Sequence, residues 1–229
     1  MNTEGPLFAS LNELAALTVE EEDLTDAAEA VVAIALDTIG CEHAGLTIIV
    51  PDGFESLAPS GPAVELADRL QHELRQGPCV EAAWETDTFV SSDLSTDPRW
   101  PEWGKRVAEL GLVSVLATRL ANGAHTLGAL NLYSSTSRDF STTDRDFAQA
   151  FAVHATTTLL AVRQRENLLA AVDARTLIGQ AQGILMERYD VDAERAFSIL
   201  RRYSQTRNVK LRTLAEEVIA SRTLPPEAR

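Results

Sequence analysis

Apolar residues recur at two periods along this chain, and the period changes with position. Residues 11–17 form a short amphipathic helix, followed by the acidic run Glu20-Glu21-Glu22-Asp23. Leu24, Ala28, Val31, Ala35 and Ile39 then make a helical stripe that closes at Gly40, a residue suited to the left-handed helix end. The β-branched run 46–50 stops at Pro51-Asp52-Gly53, which predicts a strand and a turn, with a second strand over 54–58. Val64, Ala67, Leu70 and Leu74 mark another helix, a short helix covers 80–84, and 88–90 returns to strand. Trp103, Val107 and Leu110 form a helix closed by Gly111. Strands over 112–120 and 126–133 are joined across Asn122-Gly123, the strongest short hairpin signal a sequence offers.

From Thr143 the pattern is helical to the end of the chain. Phe151, Ala155, Thr158, Val162, Leu169 and Val172 follow alternating four- and three-residue steps, interrupted where Arg165 takes a core position. That stripe outruns the sheet region and predicts a parallel homodimer through a coiled-coil seam. Leu177, Ile178, Ala181, Ile184 and Leu185 continue the helix to about Tyr189. Asp192 is placed to cap a second helix with Ala193, Ala196, Phe197 and Leu200 on its apolar stripe. Leu211, Leu214, Ala215, Val218 and Ile219 give a third, ended by Pro225-Pro226. Three such helices bury their stripes only against one another, in a bundle of roughly 45 residues near the lower limit for independent folding. The fold expected is α+β: an antiparallel sheet flanked by helices over residues 1–165, a long connecting helix, and a three-helix bundle within 166–229.

Charge sharpens this division. The net charge is −14 over 229 residues, which by itself argues against nucleic acid. Residues 1–162 hold 8 Lys+Arg against 25 Asp+Glu, net −17, whereas 163–229 hold 12 against 9, net +3. The basic excess concentrates in Arg201, Arg202, Arg207, Lys210 and Arg212, with no acid among them. Gln182 and Gly183 interrupt the apolar run of the first bundle helix. A helical glycine costs about 1 kcal/mol relative to alanine, so Gly183 implies close approach of a ligand or, equally, of a neighbouring helix.

Several chemistries find no support. No phosphate-binding glycine loop, nucleophile elbow, zinc-protease His-Glu-x-x-His or Cys-x-x-Cys word occurs. His43, His72, His125 and His154 are scattered, and Cys41 and Cys79 read as small buried thiols. No enzyme activity, metal or cofactor is expected. Trp84, Phe89 and Trp103 are candidates to line a ligand pocket and equally candidates for core. No apolar stretch is long enough to span a membrane and the N-terminus lacks signal-peptide features, so a cytoplasmic protein is expected.

Two resemblances give these patterns a function. Arg175, Ile178, the run Ala181-Gln182-Gly183-Ile184-Leu185-Met186, Glu194, Ala196-Phe197, Leu200-Arg201, Lys210-Leu211, Ala215 and Val218-Ile219 resemble the ANTAR domain, an RNA-binding module of bacterial transcription antiterminators. That family often has lysine where this chain has Gln182, which can hydrogen-bond a base but cannot neutralise a phosphate. Gly77-Pro78-Cys79 with Glu81-Ala82-Ala83, Asp97-Pro98-Arg99-Trp100-Pro101, and Gly128-Ala129-Leu130-Asn131 resemble the GAF sensory domain over about residues 10–165. Together they are similar to actinobacterial-type GAF–ANTAR regulators. The resemblance implies antitermination through binding of RNA stem-loops in nascent transcripts, under control of a small-molecule or protein signal at the GAF-like domain. Gln182, Gly183 and Ser204 are expected near loop bases, Arg201, Lys210 and Arg212 on phosphates, with Arg175 and Arg202 as further candidates. The alternatives are a helix-turn-helix DNA regulator, which the acids Glu216 and Glu217 on the third helix disfavour, and a protein-interaction adaptor, which leaves the basic cluster unexplained.

Overall fold

The structure is a computed structural model that describes residues 6–20, 23–50, 53–82, 88–123 and 125–225. The period-two runs pair into one antiparallel five-stranded sheet of order β2-β1-β5-β4-β3, with β1 His43–Val50, β2 Gly53–Ser56, β3 Phe89–Ser91, β4 Ser114–Asn122 and β5 His125–Ser134. Strand β4 pairs to its last residue, Asn122 facing His125, so Gly123 at φ 58° opens the hairpin loop. Gly128 has no freedom to carry a side chain, because a Cβ there would run into the carbonyl of Thr47 on the neighbouring strand.

Each face of the sheet has its own core. Ala44, Leu46, Ile48, Leu116, Leu120, Leu130 and Leu132 point to one side and meet α1 (Pro6–Glu20), α2 (Leu24–Ile39) and the first part of α6 (Thr142–Tyr189). Asp23 caps α2 by accepting from the Thr25 and Asp26 amides, and Gly40 ends it at φ 69°. Thr158 Oγ1 donates to the Leu14 carbonyl at 3.0 Å, tying α6 to α1 inside this layer. Val115, Ala117, Ala129, Tyr133 and Phe89 point to the other side, against α3 (Pro62–Leu74), α4 (Pro78–Ala82) and α5 (Trp103–Glu109). Both cysteines are buried, one in each layer.

The chain divides into two compact units between Gln164 and Arg165. In the second unit the last part of α6 packs with α7 (Ala193–Arg207) and α8 (Leu211–Ser221) around Ala181, Leu185, Ala196, Leu200, Leu214, Ala215 and Val218. Asp192 caps α7 through the Arg195 amide at 2.7 Å. The apolar stripe of α7 lies to one side of the one its sequence suggests: Ala196 and Leu200 are fully buried, but Ala193 and Phe197 are exposed. Ile199 and Tyr203 pack against the same core, so the covered face of α7 runs through 196, 199, 200 and 203 and leaves positions 193 and 197 at its edge.

Candidate functional site

In the second unit, α7 and the start of α8 present most of the basic residues, and α6 presents Arg175 and the glycine. The side chains of Arg175, Arg201, Arg202 and Lys210 are exposed and have no hydrogen-bond or ion-pair partner among the described residues. Arg212 differs, since its Nε binds Glu216 Oε1 at 3.1 Å one turn along α8, and Arg207 pairs with Glu217. Two of the expected base-reading groups hold the bundle together. Gln182 Nε2 donates to the Ala193 carbonyl at the start of α7 at 3.1 Å, and Ser204 Oγ donates to the Val209 carbonyl at 2.7 Å. The Ser204 bond fixes the turn that presents Lys210, and Arg201 lies one helical turn before Ser204, so these three are brought to one side of the α7–α8 junction.

Gly183 is not a packing glycine. A Cβ built on it meets nothing within 4 Å, and it lines an open groove of about 890 Å³ with Gln180, Ile184, Glu187, Arg188, Ile219 and Arg222. Close helix–helix approach therefore does not explain it.

The first unit holds a buried polar cluster. Asp68, on the core side of α3, accepts from Ser56 Oγ at 2.6 Å and from Gln71 Nε2 at 3.4 Å. Gln71 Oε1 in turn accepts from the Cys79 amide at 2.9 Å, and Asn131 Nδ2 donates to Cys79 Sγ at 2.7 Å. Burial raises the Asp68 carboxyl to about 6 and pushes the Cys79 thiol up to about 12, with the Tyr133 phenol also well above its ordinary value. Tyr133 Oη, Asn131 Oδ1 and Thr47 Oγ1 are buried without a protein hydrogen-bond partner, although Thr47 lies close enough to Asp68 and Cys79 to favour their charged forms. Gly77 is obligatory beside this cluster: it sits at φ 129°, and a Cβ would overlap Gln71. The motif words meet here and alongside, since Trp100 Nε1 donates to Glu81 Oε1 at 2.8 Å and Asp97 clamps Arg99 against the Val90 carbonyl. The Arg99 guanidinium holds the Asp97 carboxyl down at about 2.

Of the three candidate pocket aromatics, Trp84 lies outside the described residues. Phe89 and Trp103 are buried in the core of α3–α5, where Trp103 Nε1 donates to the Ala67 carbonyl at 3.0 Å. The sequence did carry a signal for the cluster, because Asp68 and Gln71 fall on the same helical stripe as Val64 and Ala67. Among the described residues no group of three or more His, Cys, Asp and Glu is arranged to hold a metal. No helix among them is long and apolar enough to cross a membrane.

Comparison with known proteins agrees with this division. The GAF domain family model matches residues 21–159, and the ANTAR domain family model matches residues 166–219. No curated protein sequence matches the chain. Among solved structures, the GAF domain of an Acinetobacter phosphoenolpyruvate-protein phosphotransferase is similar at TM-score 0.55 and 12% identity, covering 72% of this chain and 99% of its own. The corresponding GAF domain from Coxiella burnetii gives 0.56 at 16% identity, over 69% and 95%. A Stigmatella aurantiaca phytochrome photosensory core module gives 0.58 at 12% identity, over 86% of this chain and 44% of that one. At such identities the likeness is one of fold.

Proposed function

We propose, from the premise that this chain belongs to the GAF domain family and carries an ANTAR domain behind its GAF domain, that it is an RNA-binding transcription antitermination regulator. Both domains are regulatory rather than catalytic in kind, and on this reading the protein is a cytoplasmic non-enzyme. The observation that carries the reading is the set of exposed cations without acidic partners, Arg201, Arg202 and Lys210, on the α7–α8 side of the ANTAR domain. Their charge is free to displace counterions from phosphates, and that release drives much of the affinity of proteins for nucleic acids. Arg175 is a further free cation, whereas Arg212 must leave Glu216 to contribute.

Base contacts fall to Gln182, Gly183 and Ser204. Gln182 keeps Oε1 and one Nε2 hydrogen for a loop base while its other hydrogen holds Ala193. Structured RNA with unpaired loops suits such a surface better than duplex DNA, because splayed bases expose their edges. A DNA reader would use α8 in the major groove, and there Arg212 is engaged by Glu216 while Glu217 adds a further acid. The GAF domain is the place of the signal, a small polar molecule or a protein contact, and its buried cluster of Asp68, Cys79 and Asn131 is the polar part available to respond. Filter binding of RNA hairpins with randomised loops against duplex DNA of equal length tests the function. Preferential retention of hairpins is expected, and equal or preferential retention of duplex would reject it.

A further inference from the structure

The sequence stripe of α7 places Phe197 in the bundle core, yet this ring is 38% exposed and takes no part in the core of Ala181, Leu185, Ala196 and Leu200. It has no aromatic partner among the described residues. What lies beside it is basic and polar. Arg201 follows at i+4 and Ser204 at i+7, on the same edge of the helix. The backbone carbonyl of Ala193, one turn before Phe197, is where Gln182 docks. No acid occurs between Glu194 and Glu216.

We infer that Phe197 is a stacking platform for one unpaired RNA base, with Arg201 taking the adjoining phosphate. This rests on the RNA-binding reading of the ANTAR domain and adds to it a residue that decides whether a loop base is held out of its stack. An exposed ring beside a free guanidinium, about 6 Å along the helix axis, supplies the two features a single-stranded nucleotide offers a partner for: a π face and a phosphate. Every base has a π face, so this contact gives affinity for an unstacked loop with little preference for its letter. Preference then falls to hydrogen-bonding neighbours such as Gln182.

The test uses the full-length protein and the tightest-bound member of a hairpin library with eight randomised loop nucleotides, remade with 2-aminopurine at successive loop positions. Phe197→Leu should weaken binding about tenfold and leave the salt dependence unchanged, because no phosphate contact is lost. Phe197→Trp should bind like the wild type. One 2-aminopurine position should be quenched by the wild type and by Phe197→Trp but not by Phe197→Leu. Wild-type affinity in Phe197→Leu would overturn the assignment while leaving the RNA reading intact. Equal losses in both variants, with reduced helical circular dichroism, would make the ring a packing residue and overturn it too. Undiminished RNA binding with lost self-association would assign the ring to a second copy of the chain. Failure of the wild type to retain any hairpin above duplex DNA would remove the RNA reading itself, and this inference with it.

Discussion

Asp68 is a carboxyl at 2% exposure with hydroxyl and amide partners, and no cation is among the groups that shift it. Its value of about 6, against 3.8 for an ordinary aspartate, means that the native state favours the proton. Between about pH 4 and 6 the native protein holds a proton that the unfolded chain has released, so stability falls as pH rises through that window. The full loss is about 3 kcal/mol at 1.36 kcal/mol per unit. Asp68→Asn should therefore raise the unfolding midpoint at pH 7.5 and flatten the pH dependence from 4 to 6. A wild-type slope in the variant would remove Asp68 as its source. Asp97, held at about 2 by Arg99, acts in a separate window: its stabilisation is lost only as pH falls below about 4. Gln182 carries a second residue-scale expectation. Its bond to Ala193 spans α6 and α7, so Gln182→Ala should lower stability by about 1 kcal/mol, read as a shifted urea midpoint, and also reduce discrimination between loop sequences. Loss of discrimination at an unchanged midpoint would show that the Ala193 bond contributes nothing. Asp68 and Gln71 are polar positions on the stripe of Val64 and Ala67, so the sequence holds a trace of the cluster. It could not show their partners, because Ser56, Cys79 and Asn131 come from three other elements.

Helix α6 has two kinds of stripe on one continuous element. Phe151, Ala155, Thr158 and Val162 are buried in the sheet's helical layer, but Leu169 is 54% exposed and Val172 62% exposed. The same four- and three-residue steps continue through Thr176 and Gly179, and a Cβ at Gly179 would meet nothing within 4 Å. An exposed seam in heptad phase, with small residues permitting close approach, is suited to a parallel second copy of α6. Light scattering should find a dimer for the wild type and a monomer for Leu169→Lys/Val172→Glu. A dimer that survives both substitutions would place the interface elsewhere. Period and caps located Asp192 at the start of α7 and Gly40 at the end of α2, but α1 begins five residues before the stripe at 11–17 and β1 begins three before the run at 46–50. Periodicity did not fix how wide each buried stripe is. Phe197 and Val172 follow the apolar spacing of their helices, but whether such a position is covered depends on which neighbour faces it, and that is a tertiary fact.

At the scale of the molecule, the charge division and the family division coincide. The part with net −17 matches the GAF domain and the part with net +3 contains the ANTAR domain. That coincidence was legible in composition, whereas the sorting of cations into free and paired was not: Arg207 and Arg212 belong to the same basic run as Arg201, Arg202 and Lys210 but are engaged by Glu217 and Glu216. The distinction predicts unequal effects on binding. Lys210→Ala should weaken all hairpins alike, and Arg207→Ala should act mainly through bundle stability. The most direct test is the salt dependence of binding to one loop-bearing RNA hairpin, for the wild type and for the Arg201→Ala/Arg202→Ala/Lys210→Ala variant, with duplex DNA as the competitor. Each phosphate contact contributes roughly 0.7–0.9 to the slope of log affinity against log salt. The expected result is hairpin-selective binding whose slope falls by about 2 in the variant, with its helical circular dichroism retained. An unchanged slope in a folded variant, or wild-type binding that duplex DNA displaces as readily as RNA, would contradict it.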